Sequence, residues 1–276
     1  MPNWPARNTI QLTSTKNPRL QAVRKATSTG RPTEDGLIVI EGPHLLEETY
    51  GSSWGVEQIF TTAQGLERHE GLFRQTDSEI IQLPPAVFRS IATTESPQDV
   101  LALVRPREWT WEEICRPPRL IVVLDRVQDP GNAGTVMRSA EAFGASGMVM
   151  LSGSARISNA KVMRATAGSL FRMPLVEEVL PGEMLERLGP LNVALFALGA
   201  QGTNAVSEVD FRQDCAIIAG NEGSGVSEEL LKAARQVSIR TCRVESLNAA
   251  VACSIALYEA ACQRARDRDP RYEPVR

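Results

Sequence analysis

Three short runs in this sequence set small, polar and charged residues where apolar strands end. In Asp129-Pro-Gly-Asn132-Ala-Gly134-Thr-Val-Met-Arg138 a turn opens a helix, with Asn132 at its mouth and Arg138 in its second turn. A guanidinium so placed can grip a phosphate or a carboxylate. In Gly220-Asn221-Glu222-Gly-Ser-Gly225 the glycines permit close backbone approach or positive φ, and Glu222 reads either as a buried polar anchor or as a group that orients a ligand. In Ser246-Leu247-Asn248 a strand-to-helix corner carries two favoured helix caps. Taken singly, each run also fits a blander role: a capped helix with a surface arginine, a flexible loop before a cap at Ser227, an ordinary N-cap. Their order within one stretch, each at a strand end, points instead to a ligand crevice at the carboxyl edge of an α/β sheet. The ligand is not held by a dinucleotide fingerprint, because the G-x-G-x-x-G order is absent after Leu124 and at Gly220. Nor is it held by a P-loop, because no Lys-Ser/Thr follows the glycines.

The elements that must position these runs can be read from the pattern. Leu120–Leu124 is a continuous apolar run, as in a parallel strand buried on both faces. A helix follows to Phe143, stopped by Gly144. Further strands are expected over 148–151, 191–198, 215–219 and 237–241, with a helix over 159–166 and a short extended piece at 173–175. The last helix runs from about Asn248 to Arg266, where Val251, Ile255, Tyr258 and Cys262 recur at spacings of three to four. Upstream, residues 1–13 read as an arm. Thr13-Ser14-Thr15 can cap a helix over 17–27, and strands over 37–40, 56–61, 79–83 and 99–104 alternate with helices over 43–50 and 84–91. The expected organisation is a small α/β domain at 1–106, a proline- and tryptophan-bearing linker at 107–118, and a second α/β domain at 119–276.

Composition narrows the class. The 276 residues are 42% hydrophobic and 23% charged, with a formal charge of −3, so the chain is globular and gives no global nucleic-acid signal. The distribution says more. Residues 1–33 hold six bases (Arg7, Lys16, Arg19, Arg24, Lys25, Arg31) and no acid, whereas 41–70 hold six acids against Arg68. A basic segment on a mildly acidic protein suits phosphate contacts, and equally a solvated terminus. The five cysteines (Cys115, Cys215, Cys242, Cys253, Cys262) show no metal-site spacing and read as free thiols in a cytoplasmic protein, with Cys242 expected to be a small buried apolar group. No metal is expected, and no apolar run approaches the length of a membrane span. His44 and His69 read as helix or surface residues.

The three ordered runs resemble the motifs of the SpoU branch of the SPOUT RNA methyltransferases. The residues that carry the likeness are Asp129-Pro-Gly-Asn132-x-Gly134-x-x-x-Arg138, Gly220-Asn-Glu222-Gly-x-Gly225 and Ser246-Leu247-Asn248-x-x-Val251-Ala252. Ser14-x-x-Asn17-Pro18, Arg31 and Val39-Ile40-Glu41-Gly42 are similar to the substrate-binding domain often fused before that catalytic domain. The resemblance implies an α/β fold: a SPOUT domain with a parallel sheet and a deep trefoil knot, preceded by a small RNA-binding α/β domain of the kink-turn-binding ribosomal-protein type. It implies S-adenosylmethionine as donor, bound mainly by backbone at Leu198, Gly199, Ala200, Gly220, Asn221, Glu222, Ile239, Leu247 and Asn248. The implied reaction is methyl transfer to a ribose 2′-hydroxyl of RNA, 23S-type ribosomal RNA before tRNA, with Arg138, Asn132, Glu222, Ser246 and Asn248 as the catalytic set. RNA contacts are implied for Lys16, Asn17, Arg19, Arg24, Lys25 and Arg31. The family is homodimeric, so Asn132 and Arg138 of one chain are expected to face the donor held by the other. A non-catalytic RNA-binding protein with the knot fold is the rival reading. Two departures fall at the donor pocket: Arg-Thr-Cys-Arg-Val-Glu-Ser follows Ile239 where Pro-Met is common, and Asn-Ala-Ala-Val stands for Asn-Val-Ser-Val.

Overall fold

The computed structural model describes residues 9–266. Arg7 and the rest of 1–8 in the expected arm lie outside the described residues. In chain order the elements are β1 (Thr9–Gln11), α1 (Pro18–Thr29), β2 (Ile38–Glu41), α2 (Pro43–Tyr50), β3 (Gly55–Thr61), α3 (Ala63–Arg68), α4 (Glu70–Phe73), β4 (Glu79–Gln82), α5 (Pro85–Arg89) and β5 (Val100–Arg105). They continue with α6 (Trp111–Ile114), β6 (Leu120–Asp125), α7 (Pro130–Ala142), β7 (Gly147–Leu151), α8 (Ala160–Thr166), β8 (Leu175–Val179), α9 (Pro181–Leu188) and β9 (Ala194–Leu198). β10 (Asn204–Ala205), β11 (Cys215–Gly220), α10 (Glu228–Ala233), β12 (Arg235–Ser238) and α11 (Ala249–Arg266) complete them. Backbone proximity divides the chain into two compact units. One runs to Arg107 and also takes Arg156–Phe171; the other holds Glu108–Ala155 and the residues from Arg172 onward.

The first unit has a five-stranded sheet in the order β1-β4-β3-β5-β2, parallel at β1/β4/β3 and antiparallel where β5 meets β3 and β2. The end of the expected arm is therefore a strand: Thr9–Gln11 is too short to show period-two alternation, and its pairing with Ile80–Gln82 supplies what the local sequence lacks. α1 is capped by Asn17, whose Oδ1 accepts from the Arg19 amide at 2.9 Å, and not by 13–15. Gly30, at φ 61, stops the helix in the left-handed conformation that favours glycine.

The second unit has a seven-stranded sheet, β10-β12-β9-β11-β6-β7-β8, in which every pairing is parallel. β6, β7 and β11 are buried along their whole length, as their unbroken apolar runs require. On one face Ile121, Val123, Ala216 and Ile218 pack with Met184 and Leu188 of α9 and Leu230 of α10. The stretch expected as linker is part of this core: Ile114 of α6 is fully buried, and Gly147 opens β7 beneath it. A Cβ at Gly147 would lie 2.7 Å from Ile114 Cγ2 and 2.8 Å from Ile114 Cα.

Three expectations change. The extended piece at 173–175 is the start of an edge strand, β8, and α9 behind it was not anticipated. The last strand ends at Ser238, not at 241. Its neighbours run out there, with Val237 opposite Leu198 and Ser238 opposite Ala205, so 239–248 has no ladder to join. On α11 the core face is Ala250, Cys253, Ala256, Leu257 and Ala260, whereas Val251, Ile255 and Tyr258 point outward. Both faces are apolar, so periodicity alone could not choose between them.

Cys115, Cys215 and Cys253 are buried free thiols, and Cys242 is exposed, against expectation. Burial pushes the Cys215 thiol up to about 11 and the Cys253 thiol up to about 12. Both stay protonated and unreactive at neutral pH. At pH 8 a thiol-selective disulfide reagent is expected to modify Cys242 in the native protein, and Cys215 and Cys253 only after unfolding; peptide mapping of the labelled protein checks this. Gly147→Ala is expected to lower stability by about 1–3 kcal/mol through overpacking against Ile114. An unchanged urea midpoint would count against that contact.

Candidate functional site

β6 and β11 lie side by side, in register to their last residues, with Gly220 opposite Asp125. From β6 the chain steps outward to β7 and β8, while β11 sits on the opposite flank beside β9. Crevices at the carboxyl ends of such strands are where open α/β sheets take ligands. A cavity of about 690 Å³ opens there, lined by 198–201 at the end of β9, 219–226 at the end of β11, Gln236, Val237 and Ile239 around the end of β12, and 245–249 leading into α11. That volume suits a small molecule of cofactor size.

The glycine-rich wall is folded back on itself. Asn221 and Gly225 exchange backbone hydrogen bonds at 3.1 and 2.9 Å, which brings Gly225 and Val226 against Gly220. A Cβ on Gly220 would fall 2.3 Å from Gly225 C and from Val226 N, so only glycine fits there. Asn221 Oδ1 accepts from the amides of Gly223 and Ser224, both at 3.0 Å, and its Nδ2 donates to the Arg126 carbonyl at 2.9 Å. Its side chain is committed to holding the loop.

Two residues that sequence reasoning passed over hold this wall from beneath. Asp125, 1% exposed, ends β6, and its Oδ2 accepts from the Ser227 amide at 2.6 Å. Its Oδ1 accepts from Arg126 Nε at 3.1 Å. Arg126 has φ 56, outside the strand conformation, and its Nη2 reaches the Gly225 carbonyl at 3.4 Å. The one signal available was an acid closing an otherwise apolar parallel strand, where a buried carboxylate needs donors close by.

A second set of side chains crosses the mouth. Asn132 Nδ2 donates to Glu222 Oε1 at 2.8 Å, and Asn248 Nδ2 donates to Asn132 Oδ1 at 2.9 Å. Asn248 Oδ1 in turn accepts from the Ala250 and Val251 amides at the start of α11, at 2.9 and 3.2 Å. The direction of this line is fixed at both ends. A carboxylate only accepts and helix amides only donate, so each amide between them has one possible orientation.

The nine positions expected to hold the donor all line the cavity, and so does Ser246, whose residue is exposed. Glu222 is exposed and is not a buried anchor. Ser246-Leu247-Asn248 sits at the end of a loop, not a strand, and Asn248 is the cap of α11. Asn132 bonds to both cavity loops of its own chain. Arg138 is the one member of the set placed elsewhere. It lies on an exposed stripe of α7 with Thr135 and Ala142, and no hydrogen bond or ion pair joins it to another described residue. In the first unit Asn17 is spent as a cap, Arg19 pairs with Glu79 at 2.6 Å, Lys25 pairs with Glu34 at 3.1 Å, and Arg24 Nη2 donates to Ser90 Oγ at 3.0 Å. Lys16 and Arg31 are exposed.

The model of the SpoU rRNA Methylase family matches residues 119–258, just over half of the chain and the whole wall of the cavity. The chain belongs to the SpoU rRNA methylase family. An MRM3-like substrate binding domain matches residues 17–102 ahead of it. Among relatives, an uncharacterized tRNA/rRNA methyltransferase of Synechocystis sp. is 32% identical over 262 residues, 92% of this chain and 94% of that one. The 23S rRNA (guanosine(2553)-2′-O)-methyltransferase RlmP of Bacillus subtilis is 31% identical over 250 residues, 90% of this chain and 98% of that one. Among solved structures, the SpoU methyltransferase AviRb of Streptomyces viridochromogenes in complex with AdoMet superposes with a TM-score of 0.81 at 27% identity, covering 91% of this chain and 99% of that one. The α/β fold with its parallel sheet is thus that of SpoU methyltransferases.

Removing the Asp125 carboxylate leaves the Ser227 amide unpaired beneath the SpoU loop. Asp125→Ala is expected to cost about 1–3 kcal/mol, the penalty of a buried donor without a partner. Chemical denaturation measures it, and a wild-type midpoint would refute the role.

Proposed function

We propose that the protein is a methyltransferase that moves a methyl group from S-adenosylmethionine to a ribose 2′-hydroxyl of RNA, with ribosomal RNA favoured over tRNA. The observation that carries this reading is the line Glu222–Asn132–Asn248, which ties three family motifs together at the mouth of a cavity walled by glycine backbone. The family membership and the AdoMet-bound relative support the donor. The RlmP and AviRb relatives, the latter named a 23S rRNA (uridine(2479)-2′-O)-methyltransferase in Streptomyces viridochromogenes, support ribosomal RNA.

The residues present fit that donor. The cavity has room for a nucleoside with an amino-acid tail, and the glycine at 220, where any Cβ would collide, lets a ligand meet backbone rather than side chain. When bound, S-adenosylmethionine supplies a methyl group on a positively charged sulfur that departs as a neutral thioether. Residues 198–200, Gly220, Ile239 and Leu247 would hold it, and Glu222 supplies negative charge at the cavity mouth. Ser246 offers a free hydroxyl to the ribose.

A ribose hydroxyl is a weak nucleophile until its oxygen is aimed and its proton is drawn off. Arg138 is the residue we assign to the aiming. A guanidinium keeps its proton, so its role is to grip the phosphate beside the target ribose and hold the 2′-oxygen in line, while the hydroxyl proton leaves to solvent water as the methyl group is transferred. Arg138 lies away from its own cavity, beside a helix face on which Val251, Ile255 and Tyr258 are 47%, 38% and 58% exposed. Those two facts support a homodimer through that face, with each Arg138 serving the partner's cavity. Asn132 keeps its place on its own chain.

The finer architecture belongs to the same reading. A catalytic domain over 119–276 would carry a deep trefoil knot. In support, β12 lies beyond β9, yet the chain then returns through 239–248 to pack α11 on α7 and β11. A domain over 1–106 of the kink-turn-binding ribosomal-protein type, joined by 107–118, would present the RNA. No helix among the described residues is long and apolar enough to cross a membrane.

Labelled donor incubated with rRNA or tRNA transcripts tests the reading. Transfer to rRNA, mapped to a 2′-O-methyl nucleotide, is expected; absence of both transfer and donor binding would sink it. Arg138→Ala is expected to lower kcat by at least 100-fold, on the scale of losing one positioned charged group, while donor affinity stays within twofold. Full activity in that variant would remove the assigned role.

A further inference from the structure

Three separate stretches of the sequence contain bases and no acid: 16–33, 85–94 and 156–171. Together they carry nine bases. The third lies within the part matched by the methylase model, yet it folds with the first unit. Specific contacts draw the three together. Arg24 Nη2 donates to Ser90 Oγ at 3.0 Å and its Nε to the Ser90 carbonyl at 3.3 Å. Ser158 Oγ donates to the Gly30 carbonyl at 2.7 Å, and Asn159 packs 3.6 Å from the Cβ position of Gly30, next to Arg31. Arg164 Nη1 donates to Thr93 Oγ1 at 3.1 Å.

Acids also border this meeting point: the Glu48 carboxylate lies 2.6 Å from where a Cβ of Gly168 would stand, and Glu41 is already occupied. Glu41 is 8% exposed, and its carboxylate accepts from the amides of Thr93 and Thr94, at 2.6 and 3.3 Å, and from both hydroxyls. It pins the 93–94 corner and offers no open face to solvent. Glu95 is the exposed acid beside it. Arg19 and Lys25 are neutralised by Glu79 and Glu34, but Arg24 and Arg164 bond only to neutral groups in the contacts above and keep their charge. Arg31, Arg89 and Lys161 are exposed, with no ion pair to a described residue. A group of exposed cations, two of them anchored by neutral hydroxyls, suits the phosphates of a nucleic acid strand.

We propose that Arg31, Arg89, Lys161 and Arg164, with Arg24, form one phosphate-gripping surface of the first unit, and that residues 156–164 of the methylase segment complete it. The substrate grip is then built from both family segments, and it contains two cations, Lys161 and Arg164, that the N-terminal stretch does not supply. This rests on RNA being the substrate; a 23S rRNA transcript is the probe.

The experiment measures the affinity of the full chain for that transcript across a salt series, alongside donor affinity. Lys161→Gln with Arg164→Gln is expected to weaken RNA binding about tenfold at moderate salt. It should also lower the slope of log affinity against log salt by roughly 0.7–0.9 per charge removed, with donor binding unchanged. Arg164 touches Thr93, so Lys161→Gln with Arg89→Gln, neither of whose side chains bonds to a described residue, repeats the measurement without removing a side-chain contact and is expected to show the same loss of slope. Wild-type affinity and slope in both variants overturn the surface and leave the cations to an acidic protein. A wild-type chain that binds donor but no RNA overturns this inference together with the choice of substrate, whereas variants that bind like the wild type overturn this inference alone.

Discussion

A buried carboxylate at the end of one strand sets the geometry on which the cavity depends. Asp125 closes β6, and without donors its charge could not remain in the interior. It finds them in the Ser227 amide, 102 residues further on, and in the guanidinium of Arg126. The first bond fixes where the glycine loop ends and where α10 begins. Arg126, forced out of strand geometry, turns its carbonyl toward Asn221 and its guanidinium toward Gly225. The loop must then pass so close to Gly220 that no side chain fits, and the resulting wall is bare backbone. A surface of this kind recognises a ligand by shape and by amide and carbonyl groups, which is what a donor with adenine, ribose and amino-acid parts presents.

Above that wall a different kind of interaction sets the mouth. The line from Glu222 through Asn132 and Asn248 to the start of α11 joins segments more than 80 residues apart, and its polarity is dictated by its ends. A charged acceptor at one end and helix amides at the other leave the two carboxamides no freedom to flip. Rigid positioning of this sort suits a reaction whose difficulty lies in aiming a weak nucleophile. Arg138 stands apart from this line. In the proposed dimer that separation is functional: the group that meets the substrate phosphate would come from one chain and the donor pocket from the other.

Much of this was legible in the sequence, for definite reasons. The unbroken apolar runs of β6, β7 and β11 announce strands covered on both faces, and they are. The three motif runs carry residues that a close-packed glycine loop and two polar corners require, and the positions they implied for the donor all line one cavity. Less legible was anything set by a partner strand or a distant donor. The strand at Thr9–Gln11 exists because β4 offers it an edge. β12 stops at Ser238 because β9 and β10 stop, although the sequence beyond looks no different. The outward face of α11 could not be told from the inward one, because alanines and a cysteine suffice where a helix lies close on the sheet.

The sequence by itself therefore determined the family, the α/β class and the identity of the loops that meet at the crevice, since these rest on local composition and on residue types that few other arrangements need. Only the tertiary structure decided that Asn132 bonds to Glu222 and Asn248, that Asp125 and Arg126 hold the loop, and that 156–171 folds with the first unit. Each of these is a hydrogen bond or packing contact between residues far apart in the chain. Such a contact leaves no periodic trace in the sequence, because the same residue types at the same places would serve equally well as caps or surface groups until the sheet brings their partners within reach.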